Sequence, residues 1–212
     1  MRKKLDIQII KQPEWVTDDQ IVSLLHNAHQ TTLQKGMHYS VIDQNGQDIR
    51  RRIGDNGVFF VALIDNKILA GVSGISFCPE GAEWYIKGKP YAEIKLEGVR
   101  EEYKGLGING MLHRAIYDYA YNYVDILITQ TATQNKIMQN ADKKRGWHYV
   151  DYVSRKSTNY YSVVMAKWKT APPISSIYCH YKYFCSKTRT RILKTRNGEY
   201  RSIFFFLYKL LK

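Results

Sequence analysis

The stretch from Glu93 to Ala115 (E-I-K-L-E-G-V-R-E-E-Y-K-G-L-G-I-N-G-M-L-H-R-A) constrains this chain most. It reads as a strand, a tight glycine turn and a helix. Ile94, Leu96 and Val99 are strand formers, and Gly98 within that run predicts a bulge or a close approach to the backbone. Gly105, Gly107 and Gly110 crowd the turn. Ile108, Met111, Leu112, Ala115, Ile116 and Tyr119 then recur at three- and four-residue spacing, the stripe of an amphipathic helix. A glycine turn feeding a helix start presents backbone N–H groups and the positive end of the helix dipole, which suits a phosphate. Glycines alone would serve a plain turn equally well. No Gly-Lys-Ser/Thr follows, and Gly-x-Gly-x-x-Gly is absent, so neither the Walker loop nor the dinucleotide fingerprint is present.

A second block lies downstream. Val124–Thr129 reads as a buried strand, Asn135 opens a short helix, and Lys144-Arg145-Gly146-Trp147 closes it. The order Val99-x-x-x-Tyr103-Lys104-Gly105-x-Gly107-Ile108 resembles the acetyl-CoA pyrophosphate loop of the GNAT superfamily of N-acetyltransferases. The second block is similar to that family's Asn-x-x-Ala…Lys-x-Gly-Phe segment, with Trp147 for the Phe. Three positions depart from the pattern: Asn109 replaces the last Gly/Ala, Met138 replaces the Ala, and Asp142 stands where a tyrosine is usual. The resemblance covers about residues 6–168.

That resemblance implies an α/β fold: a mixed, mostly antiparallel central sheet flanked by helices, its strands splayed at the acetyl-CoA site. It implies acetyl-CoA as co-substrate, held by Gly98, Val99, Lys104, Gly105, Leu106, Gly107, Ile108, Asn109, Gly110 and Asn135. The pantetheine arm would pair with the edge of the 91–99 strand, and a backbone N–H near Gly98 or Val99 would polarise the thioester carbonyl. Acceptor amines are mostly ammonium at neutral pH, so a base is needed. Tyr91-Ala92-Glu93-Ile94 resembles the Phe-Ala-Glu-Ile of the histone-acetylating members, whose glutamate is the base. Glu93 is therefore the first catalytic candidate and Glu97 the second, because residues 93, 95, 97 and 99 would share one face of a regular strand. With Asp142 at the usual tyrosine position, Tyr160 and Tyr161 remain as candidates for protonating the leaving thiolate.

The remaining elements follow in order. Ile7–Ile10 form a first strand. Thr17-Asp18-Asp19-Gln20 is a capping box ahead of a helix with Ile21, Leu24, Leu25 and Ala28 on one face. His26, His29, Gln30, Lys35, His38 and Tyr39 lie on or beyond it, where the resembled family walls its acceptor pocket; a solvated polar face is the plainer account of each. Asp43–Ile53 holds a second short helix, Val58–Ile64 and Ile68–Phe77 form a hairpin, and Cys78–Pro90 is a loop. His148–Arg155 and Tyr160–Trp168 alternate as two final strands.

Composition changes after Trp168. Ala171-Pro172-Pro173 marks a break between an acetyltransferase-like domain (1–170), expected to fold by itself, and a basic, aromatic extension (171–212). The extension carries nine Lys and Arg against Glu199 alone, a net +8 of the chain's +13. It packs on the domain, lies on an anionic membrane surface, or contacts nucleic acid, the last being least favoured. No apolar stretch reaches the length of a membrane span, and the basic start lacks a signal peptide's apolar run. Cys78, Cys179 and Cys185 are sparse and have no zinc spacing, so a reducing compartment and no metal are expected. Together these predict a cytoplasmic protein, peripheral at the inner membrane surface if the extension binds lipid. The predicted activity is acetyl transfer from acetyl-CoA to a small primary amine. The Thr158–Trp168 segment and basic tail faintly resemble acetyltransferases encoded with bacterial surface polysaccharides, which points to an amino-sugar acceptor. Two other functions stand beside it: a protein or peptide N-acetyltransferase, and a non-catalytic acetyl-CoA-binding or docking module.

Overall fold

In a computed structural model of the chain, residues 5–34, 45–155, 160–170 and 176–195 are described. The expectations on Lys35, His38, Tyr39 and the residues beyond 195 lie outside them. The elements run β1 (Ile7–Lys11), α1 (Asp18–Gln34), α2 (Gly46–Ile53), β2 (Val58–Ile64), β3 (Ile68–Cys78), β4 (Tyr91–Val99), α3 (Ile108–Ala120), β5 (Ile126–Ala132), α4 (Lys136–Lys144), β6 (His148–Arg155), β7 (Tyr160–Trp168) and α5 (Ser176–Thr195). The hydrogen-bonded strand order is β1-β2-β3-β4-β5-β7-β6. Neighbours from β1 to β4 pair antiparallel, as do β6 and β7, while β4 and β5 are parallel. This is the expected mixed, mostly antiparallel sheet with helices.

The chain divides into two compact units, the first formed by residues 1–129 and 168–170. Its first helix starts where the capping box predicts. The Thr17 N–H donates to Gln20 Oε1 at 2.8 Å, and the Gln20 N–H donates to Thr17 Oγ1 at 3.3 Å. Alternate residues of β2 face opposite ways. Phe59, Val61 and Leu63 enter a core with Ile21, Leu24 and Leu25 of α1 and Ile49 and Ile53 of α2. Phe60 points to the other side, where its ring meets Tyr119 of α3 at 5.5 Å. Helices cover both faces, so β2 and β3 read as continuous apolar runs rather than alternating ones. β5 begins two residues later than the sequence suggests, because the Val124 N–H bonds back to the Ala120 carbonyl and closes α3.

The second unit comprises residues 130–167 and 171–212. Within it α5 packs along β6. Tyr183 stacks on Tyr149 with ring centroids 4.9 Å apart, Cys179 is fully buried, and Ser186 Oγ donates to Asp151 Oδ1. The compositional break at residue 170 is therefore followed by a helix that helps cover β6. Asp142 is buried in α4 and pairs with Arg145 at 3.2 Å. Among the described residues, no helix is long and apolar enough to cross a membrane.

Candidate active site

β4 carries the candidate chemistry, and its geometry departs from a regular strand at one point. Val72 of β3 pairs with Gly98 and Gly74 pairs with Lys95, so Ser73 opposes both Leu96 and Glu97. This is a bulge, and Leu96 takes up its strain at φ 57°, a left-handed conformation uncommon for leucine. The bulge thus lies at Leu96–Glu97, not at Gly98. Gly98 serves a different need: a Cβ there would sit 2.9 Å from Ala28 Cβ and 3.1 Å from Leu25 Cδ2, so glycine lets α1 lie against the strand.

The extra residue reverses the alternation of β4. The expectation that Glu93 and Glu97 share a face is corrected by their contacts. Glu93 is opposite Ser76, whose hydroxyl donates to the Ile53 carbonyl at the end of α2. Its carboxylate meets Lys95 Nζ at 3.0 Å, and Lys95 in turn reaches the Arg52 carbonyl at 3.5 Å. Both residues thus face the α1–α2 side. Glu97 turns to the α3 side, where it accepts a hydrogen bond from Ser73 at 3.2 Å and pairs with the fully buried His113. Glu93 keeps 28% of its side chain open to solvent. Glu97 is committed to holding the bulge against α3.

Two further features surround the bulge. The β4–β5 ladder covers only Ala92–Ile94 against Leu127–Thr129, so β4 runs five residues beyond its last pairing with β5. This is the splay that the resemblance implies. On the α1 side, His29 Nε2–H donates to the Glu97 carbonyl at 2.7 Å. Burial, ahead of the positive charge of Lys104, lowers the His29 pKa from 6.5 to about 4, so the ring is neutral at physiological pH. In the sequence His29 stands only as one of several polar residues on or beyond α1. Its spacing of four from Leu25, on the buried side of α1, was the signal available. Tyr91 lies on the Glu93 face of β4, and burial, with Cys78, Glu93 and Glu83 nearby, pushes its phenol up to about 12.

The His29 contact predicts an acid-sensitive fold. The unfolded chain takes up a proton near pH 6.5, whereas the native ring resists until about pH 4. The contribution is thus complete above pH 6.5 and lost as pH falls toward 4, with an upper value of about 3 kcal/mol. Denaturant unfolding from pH 7 to 4 should show a smaller loss in His29→Gln than in the parent chain. Parallel curves would remove His29 from the account.

The glycine turn follows β4. After a short 3-10 turn at Glu101–Tyr103, Gly105 (φ 84°) and Gly107 (φ 78°) adopt left-handed conformations, and Gly107 is the N-cap of α3. A Cβ at either position would meet nothing within 4 Å, so backbone conformation and not crowding calls for glycine. No side chain caps α3, which leaves the first-turn N–H groups of Ile108, Asn109 and Gly110 directed outward from the helix start. This is an anion cradle that fits a pyrophosphate. Leu106 is exposed beside it. Asn109 Oδ1 is buried without a hydrogen-bond partner. Lys104 does not extend over the turn; its ammonium bonds the Ala28 carbonyl at 3.1 Å and pairs with Glu101. Val99 ends β4 opposite Gly71. These residues all belong to the first unit. Asn135 belongs to the second, where its side chain caps α4 by accepting from the Met138 N–H at 3.1 Å.

A family model for GNAT acetyltransferases matches residues 19–147, which include the bulged strand and the glycine turn. The chain belongs to the GNAT acetyltransferase family. GNAT enzymes use acetyl-CoA as co-substrate. Solved structures agree on the fold. A GNAT acetyltransferase from Streptococcus agalactiae superposes with a TM-score of 0.61 at 17% identity, over 79% of this chain and 99% of that one. A probable acetyltransferase from Staphylococcus epidermidis gives 0.57 at 14%, over 78% and 100%. A GNAT acetyltransferase from Elizabethkingia anophelis with acetyl-CoA bound gives 0.54 at 17%, over 78% and 99%. No curated protein of matching sequence was found. Of the other GNAT positions, Asp142 is held in its pair with Arg145, and Tyr161 packs on Tyr152 at 5.6 Å; the Tyr160 side chain lies outside the described residues.

Proposed function

We propose that this GNAT protein transfers an acetyl group from acetyl-CoA to a primary amine, with Glu93 as the base. The observation that carries this is the Leu96 bulge. It leaves Glu93 reachable on the α1–α2 side, while the strand beyond Ile94 is free of its ladder with β5. In this reading, β4 backbone groups from Lys95 to Val99 align the pantetheine arm, and an N–H near Gly98 or Val99 polarises the thioester carbonyl. Glu93 takes the proton of the incoming ammonium directly or through water. Glu97 acts as a positioning residue, with His29 and His113 fixing the bulge from opposite sides. An amino sugar of surface-polysaccharide synthesis is the first acceptor to try, with a peptide amine second.

The test is thiol release from acetyl-CoA with a panel of amino sugars, amino acids and peptide amines. Amine-dependent release with one class supports the enzyme and names its acceptor. Tight coenzyme binding without release on any amine would favour a binding module. The coenzyme assignment has its own check. Gly107→Trp strains the left-handed turn and fills the phosphate space, so calorimetry should show acetyl-CoA affinity at least about tenfold weaker, or 1.4 kcal/mol. Equal affinity would remove the turn from the coenzyme site.

A further inference from the structure

We infer that α5 is a membrane-docking helix that lays its outer face on anionic lipid. The observation is an apolar stripe on the side of α5 opposite its packing face. At 3.6 residues per turn, Ile177, Tyr181 and Phe184 fall within about 60° of arc. Ile177, Tyr181 and Phe184 are 80%, 60% and 58% exposed. Cys179, Tyr183 and Ser186, which meet β6 or are buried, lie on the far side of the helix. One face is therefore used in the fold, and a second face of large apolar side chains is turned outward.

Charge selects the occupant. The α5 sequence contains Lys182, Lys187, Arg189, Arg191 and Lys194 and no Asp or Glu. Lys182 and Arg189 flank the stripe on one side and Lys187 on the other, by the same helical arithmetic. A tyrosine- and phenylalanine-bearing stripe bordered by cations matches a helix lying in the plane of an anionic membrane surface: rings enter the acyl boundary, and cations meet phosphate headgroups. A second copy of the same helix would bring two all-positive faces together. Nucleic acid would meet the cations but gain little from an exposed isoleucine. The sequence beyond the helix continues in kind, with Ile203–Leu207 wholly apolar between Arg201 and Lys209. This inference is independent of acyl transfer and concerns where the protein acts.

Co-sedimentation of the full chain with vesicles of phosphatidylglycerol and phosphatidylcholine tests it, with pure phosphatidylcholine vesicles as comparison. Binding should be salt-sensitive and should require the anionic lipid. Removing one basic residue near the surface lowers partitioning about fivefold, so Lys182→Glu with Arg189→Glu should lower it well over tenfold. Ile177→Asp and Phe184→Asp should each lower it at least about tenfold, whereas Lys67→Glu, a larger change of charge than either but on the β2–β3 turn, should not. Acetyl-CoA affinity and the melting temperature should stay at parent values in the α5 variants. Any of these results would overturn the inference: no vesicle binding; equal losses with Lys67→Glu; a fall of several degrees in melting temperature for Phe184→Asp, which would place the stripe inside the fold; or a parent dimer that the variants split. Loss of single-stranded DNA binding in these variants, with vesicle binding unchanged, would assign the face to nucleic acid instead and also overturn it.

Discussion

Glu93→Gln is expected to lower kcat by about 10²–10³-fold at pH 7, the usual scale for loss of a general base. The ratio of parent to variant rates should narrow as pH rises past the acceptor pKa, because free amine then forms without help. Glutamine keeps the shape of the side chain and its place beside Lys95, so Tm and acetyl-CoA affinity should hold. Glu97→Gln provides the contrast. Its carboxylate is tied to His113 and Ser73, so its loss should lower Tm and shift kcat by a factor that is flat with pH. Steady-state rates from pH 6.5 to 10 on one amine separate the two residues. A flat Glu93→Gln ratio would take the base role away from Glu93, and a pH-dependent ratio confined to Glu97→Gln would give that role to Glu97.

Deleting residues 174–212 is expected to destabilise the second unit severely. The cut removes α5, and with it the Tyr183 ring stacked on Tyr149 and the bonds from Ser186 to Asp151 and the Tyr152 carbonyl. Re-exposing a large apolar side chain costs about 1.5–3 kcal/mol. Tyr149 and Tyr152 alone then account for up to roughly 3–6 kcal/mol, or about 6–24 °C in Tm for a chain of this size. Aggregation is the expected companion, since a contiguous apolar patch would be bared. A cut after Thr195 keeps every contact just named and should melt near the parent. Thermal scans of the two truncated chains, with and without acetyl-CoA, decide the matter. Unchanged melting and solubility after removal of 174–212 would make α5 an appendage and support residue 170 as the limit of the folded domain.

Most elements of this fold are legible in the chain because their signals are local. The Thr17–Gln20 capping box starts α1 through two reciprocal bonds that involve only neighbours in sequence. Gly105 and Gly107 announce left-handed backbone, and the helix behind them carries its own periodic stripe. The GNAT resemblance rests on these same short-range patterns. The bulge at Leu96 is different. The run Glu93–Val99 alternates cleanly, and no local preference places a leucine at φ 57°. That conformation is set by partners distant in sequence: Ser73 across the ladder, His113 on α3, and His29 on α1. A single inserted residue then decides which of two similar glutamates faces the α1–α2 side. The helix at 176–195 is a second case. Aromatic residues lie on both of its faces, so no single stripe stands out, and what makes Tyr183 inward and Phe184 outward is the surface of β6. Sequence determined the family, the glycine turn ahead of α3 and the strand that holds both glutamates. Tertiary packing decided the face of each glutamate and the orientation of α5, because both depend on contacts that exist only once distant segments have met.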